Sequence, residues 1–438
     1  MQDISYGRFQ KLEYHPHWPL PDGSGTENAI ITGSGNNWGI LYGKAHLHNL
    51  VVVGGGEHSV GLGGYLQGGG HGPLSSQFGL GADQILQATV VTTDGRQLVA
   101  NHAQNQDLFW AVKGGGPGQY GVVTEYVLKT HPAPSNVVTA SLNVYGHHNA
   151  SADATWKAVT AVLSTIPDAM DKMPIAGTVG VAAGSRGKAM VGASHTVPGG
   201  VIVPSFYGYN ITEAQMRQVL HALAAKATAA GNLTGSIVAK PGDIQSYPSF
   251  LSFFNSTNTY PSQGVADTLI SSRLLGRSEL TDLPMNEIIT YLRQLTEGGA
   301  GSMIMLGLQG GRGPRNVPTE LRGAVNPAWR HIYAHTLSFG TPVNATGVPS
   351  IELKKAGQWA EKNTEAIWRD WAPKTGAYMN EANCFNSQWK HDFYGKYYDR
   401  LLAIKKKYDP SESLYMINGV GSDRWDYDLD TGLLCRVD

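Results

Sequence analysis

The sequence predicts an α+β protein built from more than one domain, and two observations lead to this prediction. Glycines crowd residues 33–121, where they separate short β-branched runs, a pattern typical of strands joined by tight loops. After Pro134 the composition changes to longer amphipathic segments that alternate with strands. A chain of 438 residues is long enough for two or three domains of ordinary size.

The region after Pro134 contains several predicted helices and strands. Thr212 and Gln215 have the spacing of a capping box, which predicts a helix that begins there and runs toward Gly231. Further helices are predicted at residues 286–297, 351–371 and 393–407, and strands at 137–144 and 302–308. These elements predict an antiparallel sheet covered by helices.

Charge and composition narrow the kinds of partner. The chain carries 33 Lys and Arg against 34 Asp and Glu, and 15% of its residues are charged, so it lacks the basic surface of a nucleic-acid-binding protein. No apolar run approaches the roughly 20 residues that cross a bilayer. We therefore expect a small-molecule partner, and neither nucleic acid nor a membrane.

Three features of the sequence relate to the cellular compartment of the protein. The first residues lack the charged and apolar regions of a signal peptide, and two cysteines leave the redox environment open. Sequons of the Asn-x-Ser/Thr type fit passage through the secretory pathway, and they begin at Asn149, Asn210, Asn232, Asn255 and Asn344. The expectation is a glycoprotein of the secretory pathway or extracellular space if a preceding segment carries a signal peptide.

The segment 61–72, GLGGYLQGGGHG, suggests a site for a dinucleotide. Glycine allows positive φ and lets a ligand approach main-chain N–H groups closely, as in loops that hold pyrophosphate and flat rings. The residues alone leave a second interpretation open, a set of β-turns in an all-β region. A Rossmann unit fits less well, because the segment after Gly72 supports at most a short helix.

Longer motifs make a resemblance to a known family specific. Residues 60–95 (VGLGGYLQGGGHGPLSSQFGLGADQILQATVVTTDG) and 105–132 (NQDLFWAVKGGGPGQYGVVTEYVLKTHP) resemble the second half of the FAD-binding domain of fungal berberine-bridge-enzyme-like oxidases. Residues 397–425 (YYDRLLAIKKKYDPSESLYMINGVGSDRW) resemble the closing module of the same family. The resemblance covers essentially the whole chain and implies FAD as the cofactor.

The resemblance also implies a fold, of the PCMH or vanillyl-alcohol-oxidase type. Residues 1–134 would form an N-terminally incomplete FAD-binding domain, 135–391 a substrate domain, and 392–438 a berberine-bridge module that packs back on the first. Family members carry a further subdomain ahead of the segment that corresponds to residues 1–9, with the first pyrophosphate loop and a flavin-linking histidine. The expectation is a truncated form of an FAD protein, and the alternative is a protein that has abandoned ordinary flavin binding, so that FAD is weakly bound or absent.

The family pattern assigns cofactor contacts position by position. Residues 33–35 and 60–64 would line the pyrophosphate and the isoalloxazine, 68–71 would pack under the ring, and 121–123 would face the ribose and adenine. Asp83 would brace the loop. The assigned residues are Gly33, Gly35, Glu57, His58, Val60, Gly61, Gly63, Gly64, Gly68, Gly69, Gly70, His71, Asp83, Gly121, Val122, Val123, Tyr415 and Asn418. An ordinary turn is the alternative for each of these glycines.

One position departs from the family pattern. Family members usually carry a cysteine that attacks the flavin ring, three residues before the Val of the VGxGG motif, and this chain has Glu57 there. A carboxylate cannot form the thioether, so FAD is predicted to bind without a cysteinyl link. The neighbouring His58 is a spacer, a hydrogen-bond donor or a covalent ligand.

On the substrate side, the family's chemistry corresponds to residues 376–383, GAYMNEAN, which we predict to be a strand. In a strand, Tyr378 and Asn380 share one face, and Met379 and Glu381 share the other. Tyr378 is a candidate base or hydrogen-bond donor, with a core tyrosine as the alternative, and Asn380 is a candidate to hold the ring or the substrate. Glu381 is a candidate general acid with a pKa raised by a partly apolar cleft, or else pairs with a surface cation.

Other motifs give no site. His331 and His335 have the i, i+4 spacing of two metal ligands on one helix, but no third ligand is evident nearby, so no metal site is predicted. The sequence has no Gly-x-Ser-x-Gly motif and therefore no nucleophile for a hydrolase of that type.

Three functional hypotheses follow. The first is an FAD-dependent oxidase that takes a hydride from a fungal secondary metabolite, such as a polyketide or alkaloid intermediate, and passes the electrons to O2. The second is a redox-neutral isomerase or cyclase that uses a general acid on the same scaffold. The third is a non-catalytic binding protein derived from an oxidase.

Overall fold

The computed structural model describes residues 9–231, 235–257, 269–297, 302–344 and 346–437. Within them the chain forms two large antiparallel sheets, one before and one after the change in composition at Pro134. The elements before Pro134 are β1 (Leu12–Pro19), β2 (Thr26–Gly33), α1 (Trp38–His46), β3 (Leu50–Val51), α2 (Leu62–Gln67), α3 (Ser75–Phe78), β4 (Ile85–Val91), β5 (Gln97–Asn101), α4 (Gln106–Val112), β6 (Val122–Lys129) and β7 (His131–Pro132).

The later elements follow in the same order along the chain. They are β8 (Val137–Gly146), α5 (Ala152–Lys172), β9 (Ile175–Ala183), α6 (Gly184–Met190), β10 (Gly200–Tyr209), α7 (Glu213–Ala230), β11 (Ile237–Pro241), β12 (Gln245–Tyr247), α8 (Phe250–Thr257), β13 (Ser271–Gly276), α9 (Met285–Glu297), β14 (Met303–Gly307), α10 (Arg312–Asn316), β15 (Ile332–Phe339), α11 (Pro349–Ala360), α12 (Ala366–Trp371), α13 (Tyr398–Tyr408), β16 (Trp425–Tyr427) and β17 (Leu434–Arg436).

The first sheet has the strand order β1-β2-β6-β4-β5, and all its neighbouring strands are antiparallel. Helices α1, α2 and α4 contribute to a core in which Trp38, Leu108 and Tyr126 are fully buried. Asn37 caps α1, because its side chain accepts a hydrogen bond of 3.1 Å from the N–H of Ile40. The loop between β3 and α2 then runs along a cleft that separates this region from the second sheet.

The second sheet has the strand order β11-β8-β10-β9-β14-β15-β13, and β12 pairs with β8. Helices α5, α7 and α9 pack against it, and on β8 the residues Val138, Leu142 and Val144 join the core beneath them. Thr139 and Ser141 lie between these residues and point to the opposite face, because side chains alternate along a strand. That opposite face forms one wall of the cleft.

The chain after Tyr394 packs on the first region through polar contacts. The buried ammonium of Lys405 donates hydrogen bonds to the carbonyl of Gln119 (3.1 Å) and to Asp409 (2.7 Å). The Tyr408 hydroxyl donates to Asp107 of α4 (2.8 Å). These contacts attach α13 to the first sheet's side of the molecule. The three-part domain division remains a prediction.

Most elements predicted after Pro134 are confirmed. The capping-box helix is α7, in which the Thr212 hydroxyl accepts from the Gln215 N–H (3.2 Å) and the Gln215 side chain accepts from the Thr212 N–H (2.8 Å). The predictions at 286–297, 137–144 and 302–308 correspond to α9, β8 and β14. The helix predicted at 351–371 consists of α11 and α12, joined by a π-helical turn.

Two predicted elements are wrong in part or in whole. Residues 376–383 form no strand, and their regular structure is a 3-10 turn at Met379–Glu381. The α-helix predicted from residue 393 begins at Tyr398, because Gly395 takes φ +54°, a left-handed conformation that cannot continue a helix.

His331 and His335 do not share a helix, contrary to the spacing argument. A 3-10 turn at Pro327–Arg330 ends just before His331. His335 lies in β15, which pairs with β13 on one side and β14 on the other. The reason is the β-branched and aromatic run that starts at Ile332, which forms a buried central strand.

Candidate active site

A cleft of about 690 Å³ lies between the loop that precedes α2 and the exposed face of the second sheet. Its volume is within the range of small-molecule sites. The residues that line it from the first region are Gly55, Gly56, Glu57, Val60, Tyr65, His71, Gly72 and Pro73. From the second region they are Thr139, Ala140, Ser141, Thr178, Ser205, Phe206, Tyr207, Asp243, Tyr247, Phe253, Phe254, Thr257, Gln309, Tyr378 and Glu381.

A strip of exposed backbone runs from the first-region wall of the cleft, at Gly56 and Val60, to Gly61 and Gly64 just outside the lining. At Gly56, Gly61 and Gly64 an added Cβ would meet no atom within 4 Å, so space is open beside the main chain. Val60 between them is 40% exposed. The Tyr65 hydroxyl, at the edge of the cleft, is buried and has no hydrogen-bond partner among the described residues. An open backbone strip with an unused donor fits a flat ring system with polar edges, such as the flavin of FAD.

The next glycines in the sequence are packed inside the protein. A Cβ at Gly68 would overlap the Asn380 side chain, and one at Gly70 would overlap the Tyr65 ring. Gly69 takes φ +114° and lies beside Val325. Protein side chains therefore fill the space beside these glycines, and the packing of residues 68–71 under a flavin ring remains a prediction.

Most of the remaining cofactor candidates do not line the cleft. Gly33 packs against the backbone of Phe9, and His58 packs against Phe254 with ring centroids 4.4 Å apart. Val122, at the start of β6, is 60% exposed. Gly35, Gly63, Gly121, Val123, Tyr415 and Asn418 also lie outside the residues that line the cleft. Their contact with FAD remains a prediction.

Asp83 forms a buried ion pair that fixes the loop before β4. Its two carboxylate oxygens each accept a hydrogen bond of 2.8 Å from the guanidinium of Arg330. One of them also accepts from the N–H of Leu80 at 2.9 Å. This pair joins the first region to the 3-10 turn before β15.

Three ionisable side chains meet at one end of the cleft. Glu381 Oε2 lies 3.3 Å from His71 Nε2 and 3.6 Å from His335 Nδ1. The two imidazole rings are 4.6 Å apart between centroids, and Trp329 stacks on both. His335 is buried, whereas the Glu381 side chain is 39% exposed toward the cleft. His335 has no local sequence signal for this role, because its partners come from distant parts of the chain.

The electrostatics of this cluster reverse one expectation from the sequence. Burial favours the neutral form of Glu381, but the charge of His71, its hydrogen bond and the nearby His335 outweigh burial and lower the pKa of Glu381 to about 2. Burial, together with His71, lowers the pKa of His335 to about 3. Glu381 is therefore a carboxylate and His335 a neutral imidazole near neutral pH, and the raised pKa expected for Glu381 is wrong.

Tyr378 and Asn380 stand beside the cluster. The Tyr378 hydroxyl accepts a hydrogen bond from Asn380 Nδ2 (2.8 Å), which also donates to the carbonyl of Gly64 (2.9 Å). Burial raises the pKa of Tyr378 above its ordinary range, so its phenol stays protonated and can donate. Because the 3-10 turn replaces a strand, Tyr378 and Glu381 both line the cleft, which alternation along a strand would have prevented.

Comparisons with known proteins agree with this architecture. The family model described as "FAD binding domain" matches residues 22–101, and the one described as "Berberine and berberine like" matches residues 377–421. An FAD-linked oxidoreductase of Gibberella fujikuroi, apf9, is 31% identical over 94% of this chain and 69% of its own length. A VAO-type flavoprotein oxidase of Thermothelomyces thermophilus, VAO615, is 31% identical over 100% of this chain and 70% of its own length.

Solved structures of related proteins share this fold. The crystal structure of the VAO-type flavoprotein MtVAO713 from Myceliophthora thermophila superposes with a TM-score of 0.84 at 26% identity, covering 97% of this chain and 73% of that one. The glucooligosaccharide oxidase of Acremonium strictum shares the fold at 19% identity, with a TM-score of 0.69, over 94% of this chain and 80% of that one.

None of the helices in the described ranges is both long and apolar enough to cross a bilayer.

Proposed function

Because the chain belongs to the berberine-bridge-enzyme-like family of FAD-linked oxidoreductases, we propose that it is an oxidase of a fungal secondary metabolite, with O2 as the electron acceptor. The observation that carries the proposal is the cleft, whose lining brings one end of the open glycine strip, Gly56 and Val60, together with Tyr378 and the His71–Glu381 pair. FAD bound along the strip would supply the hydride acceptor.

The lining of the cleft supports a small, largely neutral substrate. Aromatic side chains form one side, namely Tyr207, Tyr247, Phe253 and Phe254. The sheet contributes small hydroxyl groups, and the described lining contains no lysine or arginine. Such a surface suits a polyketide or alkaloid intermediate better than a phosphorylated or carboxylated molecule.

The polar end of the cleft supports removal of a proton from a substrate hydroxyl. Glu381, whose side chain is exposed toward the cleft, would relay the proton to His71 Nε2, 3.3 Å away, and its carboxylate would then stabilise the imidazolium that forms. The Tyr378 phenol would donate a hydrogen bond to the substrate oxygen. Asn380 would hold Tyr378 against the backbone of Gly64.

A screen of fungal metabolites for oxidation tests this proposal. The FAD-loaded protein is incubated with each compound in air, and hydrogen peroxide and product mass are measured. We expect one compound class to yield peroxide and a product that is lighter by two hydrogens. A product of unchanged mass formed without peroxide would support the isomerase hypothesis instead. Binding without conversion would support the non-catalytic one.

Passage through the secretory pathway is part of the proposal. Asn149, Asn210, Asn255 and Asn344 are exposed, and Asn232 lies outside the described residues. Glycans need exposed asparagines in the folded protein. Protein from the native host should lose mass on treatment with an N-glycosidase, and an unchanged mass would contradict this assignment.

A further inference from the structure

We infer that His71, His335 and Glu381 form a binding site for one divalent transition-metal ion, of which Zn²⁺ is the representative. The three residues come from the loop after α2, from β15 and from the 3-10 turn at Met379–Glu381. Each can offer one ligand atom, and the three ligand atoms lie within 4.8 Å of one another.

The spacing is close to that of a bound ion. Ligands held about 2.0–2.1 Å from Zn²⁺ at tetrahedral angles stand about 3.4 Å apart. The distances from Glu381 Oε2 are 3.3 Å to His71 Nε2 and 3.6 Å to His335 Nδ1. Both ring nitrogens face the same oxygen, so one ion among the three atoms could satisfy all of them with small side-chain movements.

The surroundings hold the rings in place. Trp329 stacks on His71 and on His335, at centroid distances of 5.8 and 5.9 Å. Tyr378 meets the same two rings edge-on, at 4.8 and 5.5 Å. The distal nitrogens, His71 Nδ1 and His335 Nε2, have no partner among the described residues, so each imidazole is free to take the tautomer that coordination needs.

The ligand types and the open side define the ion and its use. Two imidazoles and one carboxylate suit Zn²⁺ or another first-row transition metal, whereas Mg²⁺ and Ca²⁺ prefer oxygen ligands. Glu381 is 39% exposed toward the cleft, so a fourth position would be open, as in sites that bind substrate or water. A bound ion would occupy His71 Nε2 and would therefore replace the proton relay of the metal-free protein by holding the substrate oxygen. This use of the ion rests on the proposed function, whereas its binding does not.

Titration with Co²⁺ tests the site directly. Tag-free protein is stripped with a chelator, dialysed and titrated with Co²⁺, whose visible absorption reports coordination by nitrogen ligands. We expect one Co²⁺ per chain, displaced by Zn²⁺. Glu381→Gln keeps the size of the side chain and should weaken binding by at least tenfold, and His335→Asn should abolish it.

The matched control is His331→Asn, which alters an exposed histidine outside the cluster. It should leave Co²⁺ binding unchanged, and circular dichroism checks the fold of each variant. Absence of stoichiometric binding by the parent protein would overturn the inference, as would equal losses in His331→Asn and Glu381→Gln. The two proposals are tested separately by measuring Co²⁺ binding and substrate oxidation on the same chelator-treated protein. If the protein oxidises substrate but binds no Co²⁺, the metal site is contradicted and the oxidase proposal is not.

Discussion

Glu57 stands at the rim of the cleft, where a cysteine would have to stand for a thioether to the flavin. Its carboxylate accepts hydrogen bonds from the N–H (2.9 Å) and the hydroxyl (2.6 Å) of Ser59, so it is held within its own loop. We therefore predict that no cysteinyl bond links FAD to this chain. Acid precipitation of the FAD-loaded protein should leave no cysteinyl flavin adduct in the pellet, and such an adduct would refute the assignment.

The Asp83–Arg330 pair provides a prediction about stability. Both side chains are buried, and removal of one charge leaves the other unpaired in the protein interior. Asp83→Asn should therefore lower the free energy of unfolding by about 3–5 kcal/mol, as measured by urea denaturation. The exposed pair Asp94–Arg96 is the control, because Asp94→Asn should leave stability unchanged. Equal losses of unfolding free energy in the two variants would show that burial of the Asp83–Arg330 pair does not determine the effect.

Residue types alone could identify only part of the site. Tyr378 and Glu381 were found in the sequence through the family motif, and both line the cleft. The partnership of Glu381 with His71 and His335 could not be predicted, because it joins residues that are far apart along the chain. The direction of the Glu381 pKa depends on that partnership, which is why the sequence led to the opposite expectation.

At the scale of elements, the π-helical turn between α11 and α12 buries a carboxylate. Burial raises the pKa of Glu365 from 4.5 to about 7, with Asp392 and Glu361 acting in the same direction and Arg369 against it. The folded protein thus holds a proton that the unfolded chain has lost. Glu365 stabilises the fold fully below about pH 4.5, and that contribution disappears as the pH rises to about 7.

Glu365→Gln tests this effect, because glutamine keeps the size and cannot ionise. The parent protein should lose stability relative to the variant between pH 4.5 and 7, by an amount on the order of 3 kcal/mol. Denaturation curves at several pH values measure the difference. A gap between the two proteins that stays constant with pH would contradict the raised pKa.

Gly64 of α2 belongs to the open glycine strip and provides a test of where FAD binds. Gly64→Leu places a side chain in the open space beside the strip, so FAD retention should fall at least tenfold while the melting temperature of the FAD-free protein stays the same. Gly43→Leu is the control, because Gly43 also lies in a helix with open space around it but does not belong to the glycine strip. Normal flavin content in Gly64→Leu would exclude this strip.

Elements with local signals could be predicted, and those fixed by distant contacts could not. The capping box of α7 lies within four residues, so the sequence alone marks the start of that helix. The family resemblance predicts a strand at 376–383, but the N–H of Tyr378 donates to Ser272 of β13 and that of Ala377 to Asp392. These distant partners take the hydrogen bonds that a strand neighbour would have used.

At the scale of the whole molecule, the cleft exists only because three parts of the chain meet. The loop before α2, the second sheet and the turn at Met379–Glu381 each supply one part of its lining. The family resemblance could predict FAD and the general fold, since both depend on motifs that are continuous in the sequence. It could not predict the aromatic side of the cleft, because Tyr207, Phe253 and Phe254 carry no motif of their own.

The central claim is that the polar end of this cleft drives hydride transfer from a bound substrate to FAD. Anaerobic mixing of the FAD-loaded protein with its substrate measures that step alone, through the loss of flavin absorbance. We predict rapid bleaching in the parent protein and a rate lower by about 100-fold or more in Glu381→Gln, which removes the charge that stabilises protonated His71. Conversion of substrate without bleaching, or equal rates in the two proteins, would contradict the account.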